Sequence, residues 1–432
     1  MKRRVTFAIL GYGSRGHDAY AIYKNSHPDR MDIAAVCDTD ERKLLAAKEE
    51  FALSDEQLFS DADELLSRPR LADVLIIATQ DKDHVRYALP AIEKGYHLLL
   101  EKPVSPDPAE CLSLLKAAHE KGRFVIVCHV LRYAQFYIKL KELAEKGKIG
   151  RLLHITAAED IGFWHFAHSY VRGNWANEEA SSPLILAKSC HDTDIIRWLA
   201  GRKCVKVSSF GSLGWFKEEN APEGAGRRCL SGCKAKEECP FDCEKIYFDD
   251  PYIGYDCAKN RAWPLNVVTP GPVSREKLYE ALKEGPYGRC VYFCGNDVCD
   301  HQIVNMEFEG GLTASFTVCA FTKKCCRTIK ITGSKGEIEG RFDEGLIFLR
   351  RFGKEDEVFK VSTEDAGFAG HGDGDARIMD YMCSIIEDND ESALFAIDES
   401  VESHLIAMAA EYSRKKGGQA VTLKEFSEMH GS

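Results

Sequence analysis

The segment Gly11-Tyr12-Gly13-Ser14-Arg15-Gly16 constrains this chain more than any other feature. The glycine spacing alone is widespread, but its setting is not. It follows a short apolar run, Val5–Leu10, and opens a stretch of helical composition, Tyr12–Asn25. An acidic residue, Asp38, ends the next β-rich run, Ile33–Cys37, 22 residues after Gly16. Gly11 permits the tight turn. Gly13 lets backbone approach a pyrophosphate whose charge sits at the helix N-terminus, and Gly16 allows close helix–strand packing. Asp38 can accept hydrogen bonds from a ribose 2′-hydroxyl and would repel a 2′-phosphate. The pattern favours NAD over NADP, and Arg42 leaves some tolerance of the latter.

Strand-like and helical stretches alternate up to residue 128. Val74–Thr79, His97–Leu100 and Phe124–Cys128 continue the strands, with helical composition at Glu41–Phe51, His84–Lys94 and Pro108–Lys121. Single helices between strands imply a doubly wound parallel sheet, so residues 1–128 are read as an NAD-binding Rossmann domain. The pattern then changes. A helix over 184–199 carries Lys188, His191 and Asp192. Strands are expected at Leu152–Ala158, Val205–Phe210, Ile303–Phe308, Leu312–Cys319, Thr328–Thr332, Gly336–Glu339, Leu346–Arg350 and Glu357–Lys360. Short glycine turns between several of them imply antiparallel pairing. Residues 129–432 are therefore read as an α+β domain with a large, mainly antiparallel open sheet. The chain as a whole is α/β.

With 432 residues, one core is too few. The balance of 57 Lys and Arg against 68 Asp and Glu, net −11, disfavours nucleic acid as a partner, because phosphate binding needs a basic face. No apolar run is long enough for a bilayer. MKRRVTFAIL imitates a leader peptide, but its six apolar residues run straight into the glycine turn and read as a buried strand. The expectation is a cytoplasmic protein, which also suits an odd count of 17 cysteines. Cys229, Cys233, Cys239 and Cys243 form C-x3-C-x5-C-x3-C within an insertion at about 214–295 rich in Cys, Gly, Pro and acidic residues. Four thiolates so close suit a structural zinc ion. An iron–sulfur cluster and four free thiols are the alternatives.

Glu101-Lys102-Pro103 after the fifth strand adds a more specific signal. Together with the glycine motif, Asp38, Ala78-Thr79 followed by His84, Arg132-Tyr133, and His191-Asp192 on a helix ending Trp198-Leu199-Ala200-Gly201, it makes the chain resemble the Gfo/Idh/MocA family of NAD(P)-dependent oxidoreductases. The resemblance implies a second α/β domain whose sheet carries substrate on one face and oligomer contacts on the other, hence a dimer or tetramer. It implies a cofactor site of Gly11, Gly13, Ser14, Arg15, Gly16, Asp38, Thr79, His84, Glu101 and Lys102, with a cis bond before Pro103. By the same resemblance, Lys102 contacts the substrate hydroxyl and nicotinamide ribose, and His191 is the general base.

One departure stands out. Family dehydrogenases commonly carry an aspartate four residues before this histidine, where this chain has Ala187, followed by Lys188. Lys188 is expected to depress the pKa of His191 or to hold an anionic group such as a uronate. Arg132, Tyr133, Trp164, Trp175, Asp192, Asp297 and His371 are the substrate-side candidates, with Trp164 and Trp175 in a loop that offers aromatic faces to a sugar ring. The expected partner is a small sugar or sugar acid, whose secondary alcohol or ketone exchanges hydride with NAD. Two other readings remain: a glycoside-cleaving enzyme that oxidises transiently and eliminates, and a nucleotide-sensing regulator without turnover.

Overall fold

The computed structural model describes residues 3–269, 271–363 and 371–431. Six strands, β1 (Val5–Leu10), β2 (Met31–Cys37), β3 (Leu58–Phe59), β4 (Val74–Ile77), β5 (His97–Leu100) and β6 (Val125–Val127), form the first sheet. They are all parallel in the order β3-β2-β1-β4-β5-β6. β4 is buried at every position, so its sequence Val-Leu-Ile-Ile is uniformly apolar, as required where helices cover both faces. The order reverses between β1 and β4, which places the glycine turn at the point where doubly wound sheets bind ligands.

The second sheet has nine strands in the order β14-β13-β12-β11-β7-β10-β9-β8-β15. They are β7 (Leu152–Asp160), β8 (Cys204–Ser212), β9 (His301–Phe308), β10 (Leu312–Cys319), β11 (Cys326–Gly333), β12 (Gly336–Arg341), β13 (Leu346–Arg351), β14 (Glu357–Lys360) and β15 (Val421–Thr422). All pairs are antiparallel except β7 with β10. β9 alternates exposed and buried residues along its whole length, the mark of a sheet with one open face. The helix Ala396–Lys415 packs on β8 and on the helix Cys190–Ala200. Residues 214–295 run between β8 and β9 as short helical turns and one longer helix, Arg275–Glu284. Among the described residues no helix is long and apolar enough to cross a membrane.

Local detail departs from the sequence reading in three places. The helix expected over Tyr12–Asn25 is a π-helical turn, Arg15–Ala21, followed by Tyr23–Ser26. The segment around Trp164 is helical, at Phe163–Phe166 and Ala167–Arg172, not a loop. The helix over 184–199 breaks into Leu184–Ala187 and Cys190–Ala200. Ser189 leaves helical geometry at φ −90°, ψ 10°, and its hydroxyl donates to Glu159 Oε2 at 3.1 Å. The break restarts the helix one residue before His191.

Candidate active site

The glycine turn is built as its spacing predicts. Gly11 has φ +91°, and a Cβ there would stand 2.4 Å from Ala78 O. A Cβ on Gly16 would stand 1.9 Å from Gly11 O, so both positions exclude side chains for internal reasons. Gly13 differs: the nearest atom to a Cβ there is Lys43 Nζ, 3.9 Å away. Its missing side chain leaves a cradle at the carboxyl end of β1. Thr79, two residues past the end of the neighbouring strand β4, has a buried Oγ1 with no partner. Ser14 is half-buried, and its side chain makes no cap bond. Asp38 accepts from Tyr12 N at 2.8 Å and from Asp40 N at 2.9 Å, with Lys43 Nζ at 3.1 Å. An open cradle, an orphaned hydroxyl and a carboxylate at the end of β2 fit a dinucleotide. Arg42 is occupied by Asp40, and Lys43 is the cation beside Asp38, which the sequence reading passed over.

Three residues assigned to the cofactor are engaged elsewhere. Arg15 Nε donates to Glu101 Oε1 at 2.6 Å, and its Nη2 donates to Asp375 Oδ1 at 2.6 Å. Glu101 also accepts from the Tyr20 hydroxyl and from Lys102 N. Burial would raise its pKa, but Arg15 outweighs that and holds it below the usual carboxylate range. His84 Nδ1 stands 2.6 Å from Pro103 O and its Nε2 3.3 Å from Thr79 O. The physical reason is common to all: buried polar groups need partners, and these find them in the protein. They brace the turn after β5, where the Lys102–Pro103 bond is cis and Lys102 Nζ donates to Ala187 O at 3.0 Å.

That bond points Lys102 at the helix break, beside His191. His191 is 3% exposed, and neither ring nitrogen has a partner. Its ring centre lies 5.4 Å from that of His371 and 6.2 Å from that of His129. Burial, reinforced by Lys102, holds its pKa well below that of free histidine, so the imidazole is neutral and can accept a proton. His371 is also held low by burial, against the pull of Asp375 Oδ2 at 3.2 Å. Arg15, Asp375 and His371 thus tie the glycine turn to His191.

The other polar candidates around His191 are paired among themselves. Arg327 Nε donates to Asp192 Oδ1 at 2.9 Å, and its Nη2 donates to Glu159. Lys188 Nζ lies 3.3 Å from Glu159 Oε1. Asp192 is therefore a member of a buried network of four ionisable groups, and its pKa is pushed up by burial and by Glu159. Lys188 carries a paired charge, not the free one expected. Arg132 clamps Asp194 at 2.6 and 2.7 Å and reaches Glu399 at 2.7 Å, so its fork is full. Tyr133 packs against Tyr381.

Trp164 is buried with its ring 5.6 Å from Trp263 of the insertion, while Trp175 remains half-buried with its ring 6.0 Å from Tyr170. Asp297 is exposed and accepts from Asn177 Nδ2 and Glu178 N, away from the histidines. Its neighbour Asn296 is buried with both amide atoms unpaired. Of the sulfurs of Cys229, Cys233, Cys239 and Cys243, no three lie within 4.8 Å of one another. Among the described residues, His129, Cys190 and His404 form the single set of three ligand atoms within 4.8 Å of one another. That set is no metal site, because His404 Nε2 accepts from Val104 N at 2.9 Å and its Nδ1 donates to Ser400 O at 2.7 Å.

Residues 5–129 match a family model described as oxidoreductase family, NAD-binding Rossmann fold. Residues 141–402 match its companion, the C-terminal alpha/beta domain of Gfo/Idh/MocA oxidoreductases. The putative oxidoreductase YteT of Bacillus subtilis is 24% identical over 376 residues, covering 81% of this chain and 82% of that protein. Inositol 2-dehydrogenase 2 of Saccharopolyspora erythraea is 29% identical over 206 residues, 48% of this chain and 56% of that one. The crystal structure of an inositol dehydrogenase homolog from Azotobacter vinelandii, complexed with NAD+, superposes with a TM-score of 0.67 at 14% identity, covering 97% of each chain. An oxidoreductase from Agrobacterium radiobacter, in complex with NAD+, L-tartaric acid and magnesium, gives 0.67 at 15% identity over 98% of this chain and 99% of that one.

Proposed function

The chain belongs to the Gfo/Idh/MocA oxidoreductase family, and from that premise we propose that it is an NAD-dependent dehydrogenase acting on a secondary alcohol of a sugar or sugar derivative, or on the matching ketone. The observation that carries the reading is His191, a buried imidazole with both nitrogens unpaired beside the Lys102 ammonium. A buried polar ring without partners is costly in a resting protein and is explained by a ligand that completes it. Gly13, Ser14, Thr79 and Asp38 would hold the dinucleotide, Asp38 favouring NAD over NADP. NAD, when bound, accepts the hydride of the alcohol carbon or returns it.

The protein's own part is acid–base. Lys102 Nζ stabilises negative charge building on the substrate oxygen, and a ring nitrogen of His191 takes the hydroxyl proton. In ketone reduction the same proton returns. Trp175 and Asn296 offer a ring face and a hydroxyl partner for the rest of the substrate. The inositol dehydrogenase relatives support a polyhydroxylated ring as substrate class.

A screen of inositols, sugars, sugar acids and their keto forms, read at the NADH absorbance, tests the proposal. Stoichiometric NADH from one of these alcohols is the expected result. Glycoside cleavage without net NADH would replace it with transient oxidation and elimination. NAD binding with no turnover in the whole screen would favour a nucleotide-sensing regulator.

A further inference from the structure

A buried cation at the end of the helical segment Ala167–Arg172 lies against the insertion, with no carboxylate bonded to it among the described residues. Arg172 is 1% exposed, the largest fully buried side chain. Its Nε donates to Arg289 O at 2.8 Å and its Nη2 to Phe241 O at 2.7 Å, while Nη1 has no partner. These acceptors are neutral carbonyls. Nη2 also lies 3.6 Å from Cys229 Sγ. Asp242, close by, spends its carboxylate on Glu244 N at 2.9 Å and Lys245 N at 3.4 Å. Only Nη1 is left without a partner, and the group placed to balance the buried charge is the Cys229 thiol, as its thiolate.

The guanidinium borders a small cavity lined by Cys229, Cys233, Cys239 and Cys290. Cys290 comes from outside the cysteine run, and a short backbone ladder delivers it. Cys229 N donates to Gly288 O at 3.0 Å, Cys290 N donates to Arg227 O at 3.0 Å, and Arg228 bridges Arg289 between them. Cys243 is fully buried and does not line the cavity.

We propose that this cavity is a metal centre whose ligands are the thiolates of Cys229, Cys233, Cys239 and Cys290, with Arg172 as its counter-ion. Four thiols lose four protons on binding. With a dication the centre carries two negative charges, of which Arg172 offsets one. No three of these sulfurs lie within 4.8 Å of one another. A tetrahedral ion with metal–sulfur bonds of about 2.3 Å needs sulfurs roughly 3.8 Å apart, so zinc would draw the ligands inward; an iron–sulfur cluster uses the same thiolate chemistry and is separated by the metal analysis. The centre staples the insertion, whose Trp263 packs on Trp164, to the substrate side of the molecule.

The test uses the full chain, purified without oxygen and analysed for zinc, iron and acid-labile sulfide, then reloaded with Zn2+ alone or with Fe2+ plus sulfide. One of the two is retained at about one centre per chain. Retention is unchanged in Cys257→Ser, an exposed cysteine outside the cavity, and falls at least fivefold in Cys290→Ser. Arg172→Met, compared with Arg172→Lys, releases the metal to a chelator about tenfold faster, a readout that a purely packing role would not move. Two results overturn the proposal. One is wild-type protein that retains neither metal. The other is full retention in Cys290→Ser with loss in Cys243→Ser, which restores the contiguous run as the ligand set.

Discussion

Two polar clusters share the helix Cys190–Ala200, and they are built on opposite principles. At its first turn His191 is buried with both nitrogens empty. Beside it Asp192 is locked to Arg327, which also holds Glu159 and, through it, Lys188. A self-satisfied network is scaffold, since its members have spent their charges on one another. An unsatisfied group held rigidly by its neighbours is poised for something absent from the chain alone. The difference separates chemistry from support where the sequence Lys188-Ser189-Cys190-His191-Asp192 offers three polar candidates, Lys188, His191 and Asp192, within five residues.

The comparison breaks first at His191. His191→Ala removes the proton acceptor, so kcat for the alcohol found in the screen falls by about 10²–10⁴. NADH affinity, measured by fluorescence titration, stays within about twofold, because the cradle lies on Gly13, Thr79 and Asp38. A variant that keeps wild-type kcat would move the proton transfer to another group, His371 first.

The second effect is on stability. Arg327→Leu leaves Glu159 and Asp192 as adjoining buried carboxylates, 2% and 6% exposed. Removing one partner of such a cluster costs about 3–5 kcal/mol, read in urea denaturation. An unchanged midpoint with a raised KM would make the network a substrate site and erase the distinction.

The two clusters also respond to acid with opposite sign. Burial lowers the pKa of His191, His371 and His404, the last to about 3. Below about pH 6.5 the unfolded chain protonates these rings and the native protein does not, so stability falls as pH drops from 7 to 5. Asp192 has a raised pKa. The native protein therefore holds a proton there that the unfolded chain lacks above its ordinary range, and this contribution grows as pH falls. Asp192→Asn removes the offset, and the decline between pH 7 and 5 steepens by up to about 1.4 kcal/mol per pH unit. Denaturation midpoints at three pH values check it, and equal slopes in the two proteins would show that Asp192 is ionised in the native state.

Local features of the site were legible, and tertiary ones were not. Gly11, Gly13, Gly16 and Asp38 act through one strand, one turn and the next strand end, so spacing carried their arrangement. The apolar run Val74–Ile77 announced a central strand, but β3 is two residues long and has no periodicity to read. Arg15 stood in the glycine motif and was counted with the cofactor site, yet its partner Asp375 lies 360 residues away in sequence. Arg132 read as a substrate ligand for the same reason, its partners Asp194 and Glu399 being equally distant from any local pattern. His129 approaches His191 and His404 stacks on His129 from separate elements, and no spacing links them. Asn296 differs from the exposed Asp297 only in burial, which sequence does not give. Cys290 joined the insertion's cavity through a backbone ladder that the cysteine spacing could not announce.

The smallest expected effect sharpens the comparison most. Lys188 replaces the residue pattern common among family dehydrogenases, and from sequence it was a charge free to bind an anionic substrate. In the structure its ammonium lies 3.3 Å from Glu159, which Arg327 also holds. Lys188→Met therefore leaves Glu159 with a partner, and kcat and KM for a neutral substrate change by less than about threefold. For a sugar acid the same variant separates two cases. If Lys188 is scaffold, KM moves no more than for the neutral sugar. If the substrate carboxylate displaces Glu159 from Lys188, KM rises at least tenfold with kcat little changed, as expected when uniform binding energy is lost. The ratio of the two KM changes, measured on one preparation, decides whether the boundary between the clusters runs between Ser189 and Lys188 or beyond it.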